Sequence, residues 1–455
     1  MGLSGVMAIA EQSLQAQQGG LQVTANNIAN VNTPGYTQRV AVLAEQAPYS
    51  PDQGIAGGGG VILQQVQDVR AGVLQIQLNQ ETSNQNQLTS LQQQLQPVEG
   101  LFDASNGAGL GTSIDAFYAA LQQLSTDPSD GSQRESVISA AQTMAQTFNQ
   151  VSSAISQQMG GANQQVVQDV SQVNTLTTQI AQLNGEIGSL QNQPQGTAGL
   201  EDQRSTLVNN LSQLINFTQS AGSQGQITLT TAGGQQLVAG NQAVALTTQA
   251  SGGVQDVYSG LTDITASISG GSLAGLIQAR DVDLPNLSSQ LDALATTIAT
   301  GINQQNALGY DLDGNAGGNV FTPPTPIGAA ANMALATTDP AKIAASSTAA
   351  TNGDNSNVVA MANLQNQANA AGLTPDDAYA AIVGNVGTML QNADTQQQAS
   401  QTVLTQLQNQ ISSVSGVSLD EESINLTQFQ HAYQAAAQVV SVINTLTSVA
   451  INLGQ

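Results

Sequence analysis

The stretch Ala25-Asn26-Asn27-Ile28-Ala29-Asn30-Val31-Asn32-Thr33-Pro34-Gly35-Tyr36 decides how this chain is read. Upstream of it, Met7, Leu14, Leu21 and Ile28 recur every seven residues, with Leu3 and Ala10 on the adjoining row. That is a helix with a coiled-coil-like apolar seam, roughly 40 Å long. Asn30, Val31 and Asn32 stand where the helix should stop. Thr33 before Pro34 favours extended backbone, and Gly35 permits a tight turn. The stretch therefore reads as a helix end locked into a fixed exit direction. Outward from it, at the other end of the chain, a second long amphipathic helix runs from about Leu419 to Leu453, with Ser418 and Glu421 as its capping signal. One row carries Phe429, Tyr433, Ala436, Val440 and Ile443. The next carries Ala432, Ala435, Val439, Val442, Leu446 and Val449. Two adjacent rows make an apolar face wide enough for more than one neighbour. Terminal helices of this kind suggest a chain that finishes folding on other copies.

Between the termini the helical period dominates. Ala47 to Gly60 is rich in Pro and Gly and reads as a linker. Val69 to Gln96 reads as a Gln-rich helix stopped by Pro97, its seam carried by Val73, Ile76, Leu88, Leu91 and Leu95. Ser132 and Glu135 form a capping box before the next helix. Val137, Ala141, Met144, Phe148, Val151 and Ile155 line that helix, and Gly160-Gly161 should break it. Val166, Val170, Val173, Ile180 and Ile187 line the following one, widened by Leu176, Leu183 and Leu190. A shorter helix near Leu200 to Phe217 completes the set, a bundle of long antiparallel helices.

From Gln226 the period becomes two. Ile227 and Leu229 alternate with Thr228 and Thr230, Ala232-Gly233-Gly234 marks a turn, and Val244 and Leu246 repeat the alternation. Roughly residues 218–270 read as a small β insertion of about four to six strands. Helix resumes at Gly270-Gly271, with Leu284, Leu287, Leu291, Leu294, Ile298 and Ile302 as its seam. Asn303 to Asn355 reads as an irregular, surface-covering stretch. Thr374-Pro375-Asp376-Asp377 opens another helix with an N-cap, a first-turn Pro and a box partner. The fold class expected is mainly α, a long antiparallel bundle with terminal coiled-coil-like helices and an inserted β domain. The division expected is 1–39 plus 416–455, then 40–217 plus 271–415, then 218–270.

Formal net charge is −24, from 30 acidic and 6 basic residues. That is a poor match for nucleic acid or anionic membranes, which need basic patches. The chain has no Cys, so disulfides and thiolate metal sites are excluded. No apolar run reads as a membrane span, so no membrane insertion is expected. Leu3 to Ala10 is apolar but follows no basic residue, and it does not read as a cleaved signal. Charged residues make up only 8%. The polar surface is mostly neutral, and such faces pack in a polymer at lower desolvation cost than charged ones.

No catalytic, cofactor or metal site stands out. His431 is the sole His and lies on the terminal helix, away from any nucleophile-elbow pattern. Asp311-Leu312-Asp313-Gly314-Asn315 begins like a calcium loop, but the sixth and twelfth places hold Ala316 and Thr322, so an Asx-turn is expected. Asp376-Asp377 and Asp420-Glu421-Glu422 open helices, where acids offset the dipole. Gly57 to Gly60 lacks the Lys-Ser/Thr of a phosphate loop.

The opening stretch resembles the N-terminal signature of bacterial flagellar rod, hook and hook-associated proteins. Gly416 to Ala437, GVSLDEESINLTQFQHAYQAAA, is similar to the C-terminal end of the hook-associated branch, and Gly309 to Gly318, GYDLDGNAGG, is a third match. One departure is visible: the family usually has Arg two residues after the Tyr, where this chain has Gln38, with Arg39 one later. The resemblance implies a structural subunit and not an enzyme. Such a subunit joins hook to filament, is exported unfolded through the flagellar channel and assembles as a ring outside the cell. It implies as partners other copies of the chain, the hook protein, a second junction protein and an export chaperone. The assembly interface expected comprises Leu14, Leu21, Ile28, Asn30, Thr33, Pro34, Gly35 and Tyr36 with Phe429, Tyr433, Val439, Val442 and Leu446. Flagellin, a hook or rod subunit, a secreted adhesin and a flagellar wall hydrolase are the competing readings.

Overall fold

The computed structural model describes residues 3–33, 35–46, 59–102, 109–190, 197–349, 351–369 and 372–453. Residues 47–58 of the linker expected over Ala47 to Gly60, and Pro34, lie outside the described residues. Helix α1 (Leu3–Asn30) leads into a hairpin of β1 (Arg39–Glu45) and β2 (Val61–Asp68). Helices α2 (Gly72–Phe102), α3 (Leu110–Leu124), α4 (Gly131–Leu190) and α5 (Ala198–Leu214) follow. Seven short strands come next: β3 (Phe217–Ala221), β4 (Ile227–Thr231), β5 (Gln236–Ala239), β6 (Gln242–Ala243), β7 (Leu246–Ser251), β8 (Val254–Ser259) and β9 (Thr262–Asp263). Then α6 (Gly271–Gln278), a π turn (Ala279–Asp283), α7 (Leu284–Ala307), α8 (Ser356–Asn363), α9 (Pro375–Ser415) and α10 (Leu419–Leu453) complete the chain.

The mainly α class with a β insertion is as expected. The insertion holds a four-stranded antiparallel sheet, β3-β4-β5-β6, and a three-stranded one, β7-β8-β9. It leans on α4, as a β unit this small must.

Two hydrophobic cores divide the body. The first gathers Leu91 to Phe102 of α2, α3, the first half of α4 through Ile155, α7, α8 and the start of α9. The second gathers α4 from Ala162, α5, α6 and the inner faces of both sheets, including Leu229, Leu237 and Val257. Every seam residue expected on α7, and those named from Val137 to Ile155, is buried, because period-matched apolar rows leave water together.

Several expectations are corrected. Helix α2 does not stop at Pro97 but continues to Phe102. Pro97 and Gln93, whose carbonyl the ring displaces, face solvent, while Val98 and Phe102 anchor the last turn in the first core. The seam of α2 also changes along its length. Val73 is 72% and Ile76 43% exposed, and the inward face there is Asn79, Thr82 and Ser83. Gly160-Gly161 does not break α4, which runs unbroken for 60 residues. The packing of its two apolar stripes outweighs about 1 kcal/mol per glycine relative to alanine. Helix α4 starts at Gly131, and the cap is Asp130, whose carboxylate accepts from the Ser132 backbone N–H at 2.7 Å. The stretch after α7 is not only a surface cover: Val320, Phe321, Ala330 and Ile343 plug the first core, and the Phe321 ring meets that of Phe117 edge-on, centroids 5.7 Å apart. The hairpin β1–β2 had no counterpart in the sequence reading.

The Thr374–Asp377 capping box forms as expected, with both reciprocal hydrogen bonds present. The Asx-turn forms too: Asp311 Oδ1 accepts from the backbone of Asp313 at 3.0 Å and of Asn315 at 2.8 Å.

Candidate assembly interface

Helices α1 and α10 pack antiparallel. Asn27 of α1 meets Glu422 at the start of α10, and Gly20 meets Phe429 two turns further on. Gly20 is required there, since an added Cβ would lie 2.5 Å from the Phe429 ring. The row of α1 that goes inward is Ala10, Ala16, Gly20, Val23, Thr24 and Asn27. Leu14, Leu21 and Ile28, the expected heptad row, are only half-buried, because small residues let the backbones approach and the leucines flank the contact. Hairpin β1–β2 lies along the same helix, Leu63 against Gly19.

The two rows of α10 separate. Ala436 and Ile443 are buried and Phe429 is half-buried, facing α1. On the other row Val439 is 44%, Val442 57% and Leu446 50% exposed. Tyr433 and His431 are exposed as well. One stripe thus completes the pair within the chain, and the second has no partner among the described residues.

The helix-end motif is a hub where this pair meets the body. Asn30 caps its own turn, accepting from Thr33 Oγ1 at 3.1 Å. Gly35 takes φ +81°, a left-handed turn open to glycine. Tyr36 Oη donates to Asn27 Oδ1 at 2.8 Å, and the same oxygen accepts the Arg39 backbone N–H at 3.1 Å. Asn27 Nδ2 in turn donates to the Arg39 carbonyl at 2.8 Å and to Glu422 Oε1 at 3.0 Å. Gln38 Nε2 reaches Glu422 Oε1 at 2.9 Å, and its backbone N–H reaches the last residue of α9, Ser415, at 2.9 Å. One asparagine thereby ties the helix end, the exit loop and the start of α10. Burial raises the Tyr36 hydroxyl above its ordinary value, and nearby Arg39 partly offsets this.

Below the hub lies an ion cluster. Arg39 Nη2 contacts Asp202 Oδ2 at 3.2 Å, while Arg70 Nη2 contacts Asp202 Oδ1 at 2.8 Å and Asp68 Oδ2 at 2.9 Å. Thr37 Oγ1 donates to Asp202 Oδ1 at 3.0 Å. The Arg39 guanidinium also stands 5.0 Å from the Tyr36 ring centroid. Of the other four cations, the three arginines are buried in the body and Lys342 is paired at its surface. Arg134 donates to the carbonyls of Pro128 and Ile343, Arg204 to Asn184 and Gly225, Arg280 pairs with Asp281, and Lys342 with Asp311 and Asp313. All six basic side chains are therefore engaged internally, which leaves acidic and neutral groups on the outside. Asn27, Gln38, Asp68, Arg70, Asp202 and Glu422 were missed as site residues. Asn27 lay inside the motif, but nothing in the sequence links it to Glu422.

Among the described residues no group of three His, Cys, Asp or Glu could hold a metal. Lys342 Nζ sits 3.0 Å from Asp311 and 2.9 Å from Asp313, where a calcium ion would stand in a true loop. One 18-residue window within 375–452 is long and apolar enough to cross a membrane by composition alone, contrary to the expectation that no run would be.

Comparison with known proteins bears on this geometry. A family model described as the flagellar hook-associated protein FlgK helical domain matches residues 95–321. Models described as flagella basal body rod protein and flagellar basal body rod FlgEFG protein C-terminal match residues 7–37 and 408–453. Flagellar hook-associated protein 1 of Bacillus subtilis is 30% identical, over 97% of this chain and 97% of its own length. The protein of the same name from Escherichia coli is 27% identical, over 99% of this chain and all 100% of its own. The solved flagellar hook junction protein FlgK from Burkholderia pseudomallei shares the fold, with a TM-score of 0.67 at 21% identity over 75% of this chain and 100% of that one. Paired terminal helices on a helical body, with rod-type matches at both ends, define an axial structural protein of the bacterial flagellum. Within that class the chain belongs to the flagellar hook-associated protein 1 family. It is an exported structural component of the hook–filament junction.

Proposed function

We propose that copies of this chain form a ring between hook and filament, with α1 and α10 lining a central tube. The observation that carries this reading is the second apolar stripe of α10. Val439, Val442 and Leu446 face away from α1, and covering the half of each side chain that is still exposed contributes about 1 kcal/mol each. Helices of neighbouring copies would cover them. The partners are the hook protein on one side, the second junction protein on the other, and before assembly an export chaperone over the C-terminal helix. No nucleic acid or membrane takes part, and the apolar window within 375–452 serves helix packing. The protein works as a mechanical adaptor and not as an enzyme. The terminal unit is 1–39 plus 416–455, on a body of 40–217 plus 271–415 that bears the insertion 218–270.

Electron microscopy of a strain lacking the chain tests the reading, with hooks bare of filament expected and filaments restored by the wild-type gene. Normal filaments in the deletion strain would overturn it. Purified protein should leave peptidoglycan undigested; digestion would favour the wall-hydrolase reading.

A further inference from the structure

Three features coincide where the two cores meet. In α4 the buried positions of the first core end at Ile155 and those of the second begin at Ala162. Between them, Gly160 and Gly161 are exposed, and an added Cβ at either would find no atom within 4 Å. Alanine would fit and would hold the helix better, so packing does not ask for glycine there. Beside this, the chain recrosses from the second core to the first between α6 and α7, and does so through the π turn Ala279–Asp283. A π insertion in an α run loosens the local hydrogen-bond ladder and recurs at functional positions. On the far side a groove of about 560 Å³ runs along the seam where α2 packs on α9, and Gln278 and Asp283, at the two ends of the π turn, line it with Leu88, Leu91 and Met389.

Arg280 stands at the middle of this level with its side chain 0% exposed. Its Nη1 donates to Asn163 Oδ1 on α4 at 3.0 Å and to the Gln255 carbonyl on β8 at 2.7 Å. Its Nε and Nη2 hold Asp281 at 2.7 and 2.9 Å. Asn163 Oδ1 also accepts the Gln255 backbone N–H at 2.7 Å. One side chain thus joins the π turn, the sheet and α4 two residues beyond Gly161.

We propose that the body is a two-part lever, hinged at Gly160-Gly161 and the π turn and pinned by Arg280. The half bearing the β sheets tilts against the half built on the first core, and the groove along the α2–α9 seam takes up the motion. The hinge rests on the function proposed above only for its use, which is to let a subunit fit two different polymers.

The chain has no Cys, so introduced pairs can carry spin labels uniquely. Gln122→Cys with Ser251→Cys places one exposed label on each half, and Gln122→Cys with Leu308→Cys keeps both on the first-core half. In the free full-length subunit the cross-hinge distance distribution should be at least about twofold wider than the control, as a hinge demands. Adding Gly160→Ala and Gly161→Ala should narrow it toward the control without lowering the melting temperature. Asn163→Ala, which removes one tie to Arg280, should widen it. A cross-hinge distribution no wider than the control, or one unchanged by the double alanine variant, would overturn the hinge. An unchanged width in Asn163→Ala would overturn the pin. These distances are read on the free subunit, so a chain that restores filaments yet measures rigid overturns the hinge and leaves the junction role standing.

Discussion

Asn27 and Glu422 are 395 positions apart in the chain and joined by a buried 3.0 Å hydrogen bond. Glu422 is 2% exposed, and its Oε1 accepts from two neutral amides, those of Asn27 and Gln38. Position 38 thus offers this buried carboxylate an amide. Arg39, one residue later, goes instead to Asp202.

Asn27→Ala should open the terminal pair. It leaves Glu422 Oε1 with the Gln38 amide alone, and takes an acceptor from the part-buried Tyr36 hydroxyl and Arg39 N–H, at about 1 kcal/mol per lost bond. Amide hydrogen exchange should rise along α1 and the first turns of α10, while α3 and α7 keep wild-type protection. Unchanged exchange in α1 would show that the hub does not hold the pair.

Asp202→Ala should loosen the neck between that pair and the body. It removes one of the two carboxylates that Arg39 and Arg70 share, while Asp68 still pairs with Arg39 at 3.6 Å and with Arg70 at 2.9 Å, and Glu201 with Arg70 at 3.3 Å. Leaving a buried charge uncompensated costs about 3–5 kcal/mol; with Asp68 still paired to both arginines and these 22% and 29% exposed, the loss falls to about 1. Urea melts should report that loss. Asp202→Asn, which keeps an acceptor for Thr37, should lose less.

The Asp311 turn should be acid-sensitive. Burial pushes its carboxyl up, but Lys342 and the backbone N–H groups of Asn315 and Asp313 outweigh it and hold the group below the usual carboxylate range. A depressed folded value means its contribution is complete above about pH 4, the unfolded value, and is lost as pH falls through the folded one. Lys342→Met should move that loss to higher pH. Carboxyl carbon shifts of Asp311 measured against pH would follow it, and an unmoved midpoint would count against the Lys342 contact.

Val439→Glu should abolish assembly without unfolding the body. Val439 is 44% exposed in the single chain, so a carboxylate there should change stability within roughly ±0.5 kcal/mol. Between packed helices the same charge costs several kcal/mol per subunit. Complementation should leave hooks bare. Normal filaments would place this stripe outside any packed contact, and a collapsed melting temperature would place it in the monomer's core.

What the sequence determined by itself is local or periodic. The long helices, the Thr374–Asp377 box, the Asx-turn at Asp311 and the change to a two-residue period near Gln226 depend on partners a few residues apart, so the order of residues carries them. Tertiary structure decided the rest. Pro97 and Gly160-Gly161 read as breaks, yet buried side chains on either side hold α2 and α4 continuous. The inward row of α1 is Ala16, Gly20 and Asn27 and not the leucines, because the partner helix and the hairpin choose the face. The pairing of Asn27 with Glu422, the Asp202 cluster and the ties of Arg134 and Arg280 join residues far apart in the chain. Such contacts depend on which surfaces lose water together, and no spacing within the sequence encodes that.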